Sequence, residues 1–401
     1  MTRTIIHFDL DAFFCAVEEQ RDASLRGVAF AVGGRPGERG VVASCSYAAR
    51  QFGVRSAMPM TRALALCPGL IVVPGYHAAY RVASAEVMTR VRAVTEQVEQ
   101  LSIDEAFLDV SNLPSPGAEI AARLQATIRN ELGLPCSLGV ATNKLVAKIA
   151  TDVGKSAARG PDAPRAICVV PPGEEAAFLA PLPAAALWGV GPKTAARLAE
   201  LGLRTIGDIA RRPEAELVQL FGKRGYELAR HARGLDESEI VTTHETKSVS
   251  REVTFTRDVR DGAVLRQTLH EQATKVARDL RHEGLCGATI KLKLRWPDFT
   301  TLTRQATLGE PTDDAAVIAG EAVRLFEQTW HAGRPVRLIG VGVSGLGIPI
   351  RQLTLWDALA AARAEEKRKK VETALEHLRA RFGEDVVRLG DSHSRGPSKG
   401  D

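Results

Sequence analysis

From Thr4 to Leu10 the chain reads TIIHFDL, an apolar run broken only by His7 and Asp9, and this predicts a short buried strand. DAFFCAVEEQ follows with helix-forming residues, and Asp11 stands where an N-cap of that helix would. GVVASCSYAARQFGV predicts a strand running into a helix that stops near Gly53, and MPMTRALALCP a helix ended by proline. A long helix is expected over residues 80–98. VEQLSIDEAFLDVSN alternates apolar and acidic positions, the pattern of a hairpin with one buried face. GAEIAARLQATIRNELGL is an amphipathic helix closed by Gly133, CSLGVAT a strand and NKLVAKIATDV a helix.

The pattern changes near residue 165. Short helices punctuated by Pro and Gly run to about residue 238, and the polar VTTHETKS reads as a linker. REVTFTRDV, a helix over 265–280, ATIKLKLRW, FTTLTRQATL, a helix over 315–329 and RLIGVGVSGL then predict a second α+β unit. Its expected order is βαβββαβ-like, a small sheet backed by two helices. The tail carries QLTLW and a charged helix with Val371, Leu375, Leu378 and Phe382 on one face, expected to pack back on the preceding unit. No internal repeat of solenoid period is found.

At 401 residues the chain exceeds one ordinary core, so roughly two to four domains are expected. Hydrophobic and charged fractions of 45% and 25% suit a soluble globular protein and exclude disordered and membrane-spanning classes. The net charge of +5 is compatible with a nucleic-acid partner without requiring one. Cys15, Cys45, Cys67, Cys136, Cys168 and Cys286 are widely spaced, so neither a zinc site nor a disulfide framework is expected. With no signal-peptide pattern and no apolar run near ~18 residues, the expectation is a cytoplasmic protein with no membrane partner.

Three acids stand out: Asp9 at the end of the first strand, and the adjacent Asp104 and Glu105 in LSIDEAFLDV. Neighbouring strands would bring them together, and carboxylate oxygens are the natural ligands of Mg²⁺. Two ions held by shared carboxylates suit an in-line displacement at phosphorus. Spacing alone is met more often by ordinary acids at strand ends. In SYAAR, Tyr47 and Arg50 lie three apart and can reach one ligand; Arg suits bidentate phosphate contact, and Lys148 and Lys155 add charge. A solvated helix face is the alternative. The GKS of DVGKSA imitates the end of a phosphate-binding loop, but Ile149 stands where that loop needs glycine, so this reading fails.

LWGVGPKTAARLAE sets Gly189, Gly191 and Pro192 between two helical segments, with Lys193 next. Small residues there expose backbone N–H groups to a phosphate at a helix start, the alternative being a tight turn between helices. In IKLKLRW, Lys291, Lys293 and Arg295 share one strand face and Leu292 and Leu294 the other. Such a basic stripe tracks a phosphate backbone without reading sequence, or is simply a solvated face.

Taken together, FDLDAFF, VVASCSYAARQFGVRSAMP, LSIDEAFLDV, GVATNKLVAKIATDVGKS and LWGVGPKTAARL, in that order, resemble a Y-family translesion DNA polymerase of the DinB, or DNA polymerase IV, branch. The resemblance runs over about residues 4–347. It implies a multidomain α+β right-hand polymerase: a palm on a ferredoxin-like mixed sheet (1–11 and 79–166), small fingers (12–78) and a helix-hairpin-helix thumb (167–237). A linker (238–247), an α+β little finger (248–347) and a tail (348–401) complete it. The implied activity is template-directed, low-fidelity addition of dNMPs to a primer 3′ end by two-metal-ion nucleotidyl transfer, serving translesion synthesis and DNA repair. Primer–template DNA and dNTP are the implied partners of a monomeric enzyme.

By the same resemblance Asp9, Asp104 and Glu105 hold two Mg²⁺ ions, Mn²⁺ being the alternative, and the backbone carbonyl of Leu10 is a further ligand. Phe13, Phe14, Ser44, Tyr47, Arg50 and Lys155 form the nucleotide-binding set. Phe14 stands at the steric gate, where a ring against the sugar excludes a 2′-hydroxyl by clash; Phe13 fills the core. Asp11 is not a ligand in the family pattern, which leaves it the helix cap. Ala43, Ser44, Ala57 and Met58 are implied over the template base, and Gly189, Gly191, Lys193, Lys291, Lys293 and Arg295 on DNA. QLTLW resembles a sliding-clamp peptide, with Gln352, Leu353, Leu355 and Trp356 making contact, although it lies well before the last residue. A palm-fold nucleotide cyclase would have no use for the thumb hairpin, the basic strand or that peptide. A non-catalytic DNA-binding scaffold would not need all three acids with Tyr47 and Arg50.

Overall fold

The computed structural model describes residues 3–348 apart from 159, 161 and 244, and scattered positions between 366 and 381. The chain starts with β1 (Ile5–Leu10), α1 (Phe13–Arg21), β2 (Phe30–Gly33), β3 (Val42–Cys45), α2 (Tyr47–Gln51), α3 (Met60–Leu66) and β4 (Ile71–Val73). It continues through α4 (His77–Arg92), β5 (Val98–Gln100), β6 (Glu105–Asp109), α5 (Gly117–Leu132), β7 (Cys136–Ala141), α6 (Lys144–Ala157) and β8 (Ile167–Val169). Five helices follow: α7 (Glu175–Leu179), α8 (Pro192–Glu200), α9 (Ile206–Arg211), α10 (Glu214–Phe221) and α11 (Lys223–Ala232). The last unit is β9 (Ser248–Val259), α12 (Gly262–His282), β10 (Cys286–Arg295), β11 (Thr301–Thr312), α13 (Ala315–Glu327) and β12 (Val336–Gly347).

β1 reads as a near-continuous apolar run because it is covered on both faces. It is the middle strand of a sheet ordered β5-β6-β1-β7-β8, mixed because β7 and β8 run parallel while the other pairs are antiparallel. Alternation along the strand then divides its side chains. Ile6, Phe8 and Leu10 join the core under α1, α4 and α5, with Met88, Ile120, Leu124 and Ile128. Ile5 faces the other way, into a core with Phe107 and with Leu145, Val146 and Ile149 of α6. His7 and Asp9 share that second face by the same alternation. α6 approaches the sheet so closely that a Cβ on Gly139 of β7 would lie 2.0 Å from the Ala147 carbonyl oxygen. Only glycine fits there, and this close approach brings the polar side chains of α6 to β1. The edge strand β8 lies just past residue 166, and helices α7 to α11 share the core of α6 through Leu179, Leu198, Ile206, Leu217 and Leu228.

A small sheet ordered β3-β2-β4 packs with α2 and α3 around Ala31, Val42, Met60 and Ala63. The last unit is a sheet ordered β11-β10-β12-β9 with α12 and α13 on one face, closing over Ile290, Leu292, Leu294 and Phe326. Its order is βαββαβ, one strand fewer than the pattern suggests, because β10 and β11 are long strands of one hairpin. The long helix of residues 80–98 is α4, shifted to His77–Arg92; the chain turns after Ala93 and becomes a strand at Val98. The clamp-like peptide of Gln352, Leu353, Leu355 and Trp356 lies outside the described residues, as does Phe382. Of the tail helix, Val371 and Leu378 are exposed rather than packed on the preceding unit.

Candidate active site

Antiparallel pairing of β1 with β6 sets Asp9 directly opposite Glu105, and the Leu10 N–H donates to the Asp104 carbonyl at 3.0 Å. All three acids expected to act together therefore sit at one end of the central strand pair. Asp9, Leu10 and Asp104 line a cleft of about 240 Å³ with Phe13, Phe14, Ala43, Ser44, Arg50, Ser56 and Lys155. Glu105 is Asp9's neighbour but is turned to α6 instead of lining that cleft. Its Oε1 accepts from His7 Nε2 at 2.6 Å and from Lys148 Nζ.

The charges here are matched by lysines. Lys155 donates to Asp9 Oδ1 at 2.5 Å and lies 3.3 Å from Asp11 Oδ1. Burial still pushes the Asp9 carboxyl up to about 6, against the pull of Lys155. Burial acts the same way on Glu105, but the His7 and Lys148 hydrogen bonds and charges outweigh it and hold that carboxyl down at about 2. Burial lowers His7 below its ordinary value, so at neutral pH it is a neutral donor and Lys148 carries the countercharge. With Nε2–H directed at Glu105, Nδ1 accepts from Thr151 Oγ1 at 2.8 Å. Asp104 Oδ1 accepts from Ser102 Oγ at 2.5 Å.

Asp11 is not the helix cap its position suggests. The N-cap of α1 is Ala12, in the left-handed region at φ 47°, and no side chain caps the helix. Asp11 is buried and accepts instead from Ser137 Oγ at 2.9 and 3.0 Å and from the Arg165 N–H at 3.0 Å. The turn at Ala12 swings Asp11 toward β7 and away from the first helical N–H groups. It ties the chain before β8 to the sheet.

Of the phosphate-type residues, Arg50 lines the cleft and Tyr47 packs against it. The Arg50 guanidinium lies 4.4 Å over the Tyr47 ring, and its Nε donates to the Cys45 carbonyl at 3.3 Å. The Tyr47 hydroxyl is buried with no hydrogen-bond partner, and burial, then the Asp11 charge, push it up to about 12. A buried orphan hydroxyl is costly unless a ligand completes it. Phe13 is buried, whereas Phe14 is half-buried and stacks on Tyr80 at 4.3 Å with 12° between the rings. Tyr80 donates to buried Glu18 at 2.6 Å. Ser44 is buried at the cleft and accepts a weak bond from Cys15 Sγ at 3.6 Å. Of the small residues expected over a template base, Ala43 and Ser44 line the cleft, whereas Met58 packs into the core of the small sheet.

Outside the cleft, Gly189, Gly191 and Lys193 are exposed, with Gly189 at φ 90° and Pro192 starting α8. On β10, Leu292 and Leu294 are buried and Lys291, Lys293 and Arg295 lie on the opposite, open face. Lys291 and Lys293 line a shallow groove there with Ser248, Ser250, Glu252 and Thr303. Lys293 bonds both Glu252 oxygens at 2.8 Å, and Arg295 donates to Thr301 at 2.8 Å.

Among the described residues no three acidic, His or Cys side chains already converge as a cation cage. The donor set nonetheless suits a hard divalent cation, since Asp9 and Asp104 present carboxylate oxygens to one cleft. The Lys155 ammonium against Asp9 stands where positive charge is demanded. Sequence reading missed the roles of His7, Thr151 and Tyr80. His7 was traceable as the residue two before Asp9, on the same strand face, and Lys148, Thr151 and Lys155 as one stripe of α6.

Comparison with known proteins finds relatives over most of the chain. The impB/mucB/samB family matches at residues 8–152, and the C-terminal domain of that family at residues 246–355. A DNA polymerase IV of Streptomyces coelicolor is 44% identical over 370 residues, 90% of this chain and 75% of the relative. A DNA polymerase IV of Desulfatibacillum aliphaticivorans is 39% identical over 96% of this chain and 95% of its own. Among solved structures, a Y-family DNA polymerase chimera of Dbh and Dpo4 matches with a TM-score of 0.77 and 27% identity. That match covers 86% of this chain and all of the other.

Proposed function

The chain belongs to the impB/mucB/samB family of Y-family DNA polymerases, and from that membership we propose which of its residues carry the reaction. It is a DNA-directed DNA polymerase of the translesion class, with primer–template DNA and dNTP as substrates. The observation that carries the assignment is the β1–β6 register, which pairs Asp9 with Glu105 and puts Asp104 one residue away at the mouth of the cleft.

Asp9, Asp104, Glu105 and the Leu10 carbonyl would hold two Mg²⁺ ions, for which Mn²⁺ could substitute. When bound, the ions supply Lewis acidity for in-line attack of the primer 3′-hydroxyl on the α-phosphorus and neutralise the leaving pyrophosphate. Lys155 releases Asp9 and, with Arg50, takes up charge on the triphosphate. The Tyr47 hydroxyl donates to a phosphate oxygen and so gains the partner it lacks. Phe14, backed by Tyr80, meets the sugar and excludes a 2′-hydroxyl by clash. Ala43 and Ser44 leave room over the template base.

In domain terms, 1–11 and 79–166 act as palm, with the edge strand β8 (Ile167–Val169) completing its sheet, 12–78 as fingers, the rest of 167–237 as thumb and 248–347 as little finger, joined by a linker at 238–247. The exposed Gly189–Gly191–Lys193 turn meets the DNA backbone, as does the Lys291, Lys293 and Arg295 face of β10. The enzyme works as a cytoplasmic monomer that docks on a sliding clamp through 352–356.

Asp104→Asn tests the assignment. Primer extension with Mg²⁺ and dNTPs should fall at least about 10³-fold, with primer–template affinity preserved. Extension retained at near the parent rate would remove Asp104 from the metal set.

A further inference from the structure

Glu105 is gripped from one side. His7 Nε2 and Lys148 Nζ both donate to Oε1, and no described hydrogen bond falls on Oε2. The two donors come from different elements, and each is itself held. His7 is fully buried, with Nδ1 2.8 Å from Thr151 Oγ1. The Gly139 contact keeps Thr151 at that distance, since a Cβ there would also lie 2.6 Å from the Thr151 backbone nitrogen. Lys148 is half-buried, and its ammonium lies 5.9 Å from the centre of the Trp188 ring, which packs on Phe107.

We propose that His7 and Lys148 are positioning residues for the polymerase reaction, fixing Glu105 through Oε1 so that Oε2 alone is presented to a divalent cation. The proposal rests on the reading of Glu105 as a metal ligand. A glutamate has three rotatable bonds, and an unrestrained one can chelate through both oxygens or swing out of a shared site. Two donors on one oxygen set the rotation of the carboxylate and leave a single coordinating oxygen, which is how supporting hydrogen bonds usually orient metal ligands. Neither His7 nor Lys148 touches the substrate in this scheme; both act through Glu105.

The test is Mn²⁺ binding to the full chain, on a dideoxy-terminated primer–template with dNTP, followed by the electron paramagnetic resonance signal of free Mn²⁺. The readout needs no turnover. Lys148→Met and His7→Leu should each weaken Mn²⁺ binding by about 10-fold or more, and raise the Mg²⁺ concentration for half-maximal extension in parallel. Lys148→Arg and His7→Gln, which keep a donor near Oε1, should restore most of both. His7 is buried, so a melting curve accompanies its variants; Lys148, half-buried on α6, keeps the test decisive if His7→Leu fails to fold. Unchanged Mn²⁺ binding in Lys148→Met, with an ion lost in Glu105→Gln, would overturn the positioning role alone. Unchanged binding in Glu105→Gln would overturn the reading of Glu105 itself.

Discussion

Phe13 and Phe14 are neighbours of one residue type, yet the left-handed turn at Ala12 starts a helix that sends them to different surroundings. Phe13 is buried in the core under the central sheet, while Phe14 remains half-buried, stacked on Tyr80 and edge-on to His77 at 6.0 Å. Their alanine variants should therefore differ in kind. Phe13→Ala should cost about 3–5 kcal/mol of folding stability, read by denaturant titration. Phe14→Ala should keep most stability but lower the ratio of kcat/KM for dNTP over rNTP; an unchanged ratio would place the gate elsewhere. The doubled Phe was readable only through the family resemblance, which put Phe14 at the sugar and left Phe13 to the core. Asp11 was not, because its partners Ser137 and Arg165 lie 126 and 154 residues away. Nothing local separates a capping aspartate from one that reaches across the sheet.

At the scale of elements, β10 follows its pattern closely. Its leucines are buried under α12 and α13, and its basic residues share the open face. What the alternation could not show is that the three cations are unequal. Lys293 is neutralised by Glu252 on β9 and must exchange that partner to reach a phosphate, whereas Lys291 has no such carboxylate among its described contacts. Lys291→Ala should reduce the slope of log affinity against log salt for primer–template DNA by about 0.9, and Lys293→Ala by less. A slope unaltered by Lys291→Ala would take β10 out of the DNA contact. α6 was likewise legible as a helix, and Lys148 and Lys155 as candidate charges for a phosphate, but not the partners its polar stripe meets. The contacts of Lys148 with Glu105 and of Thr151 with His7 depend on the close approach over Gly139, a tertiary contact that sequence periodicity does not encode.

At the scale of the molecule, changes in composition suggest breaks near residues 165 and 240, but say nothing of how the units attach. The polar stretch that reads as a free connector is pinned where it begins. Lys144 and Glu99 form a buried ion pair at 2.6 Å; Glu99 also accepts the Val241 N–H at 2.9 Å, and Lys144 donates to the Glu239 carbonyl at 3.1 Å. Asp236 accepts the Leu145 N–H at the start of α6, and Arg3 donates to the Ser238 carbonyl. A second tie joins the small sheet to the last unit, where Arg39 lies 2.8 Å from Asp258 and donates to the Phe255 carbonyl. The Arg39 contact is only half-buried, so the buried pair should govern how the chain leaves the central sheet. Lys144→Met strands a buried carboxylate and should cost about 3–5 kcal/mol, whereas the double variant Lys144→Met, Glu99→Leu should recover part of that loss. Native-state proteolysis separates anchoring from plain destabilisation. If the pair holds the connector, cleavage within 236–247 should accelerate in Lys144→Met beyond the change at other sites, and DNA affinity should fall with it. Uniform acceleration along the chain would mean that the pair supports the palm core and leaves the path of the connector to other contacts.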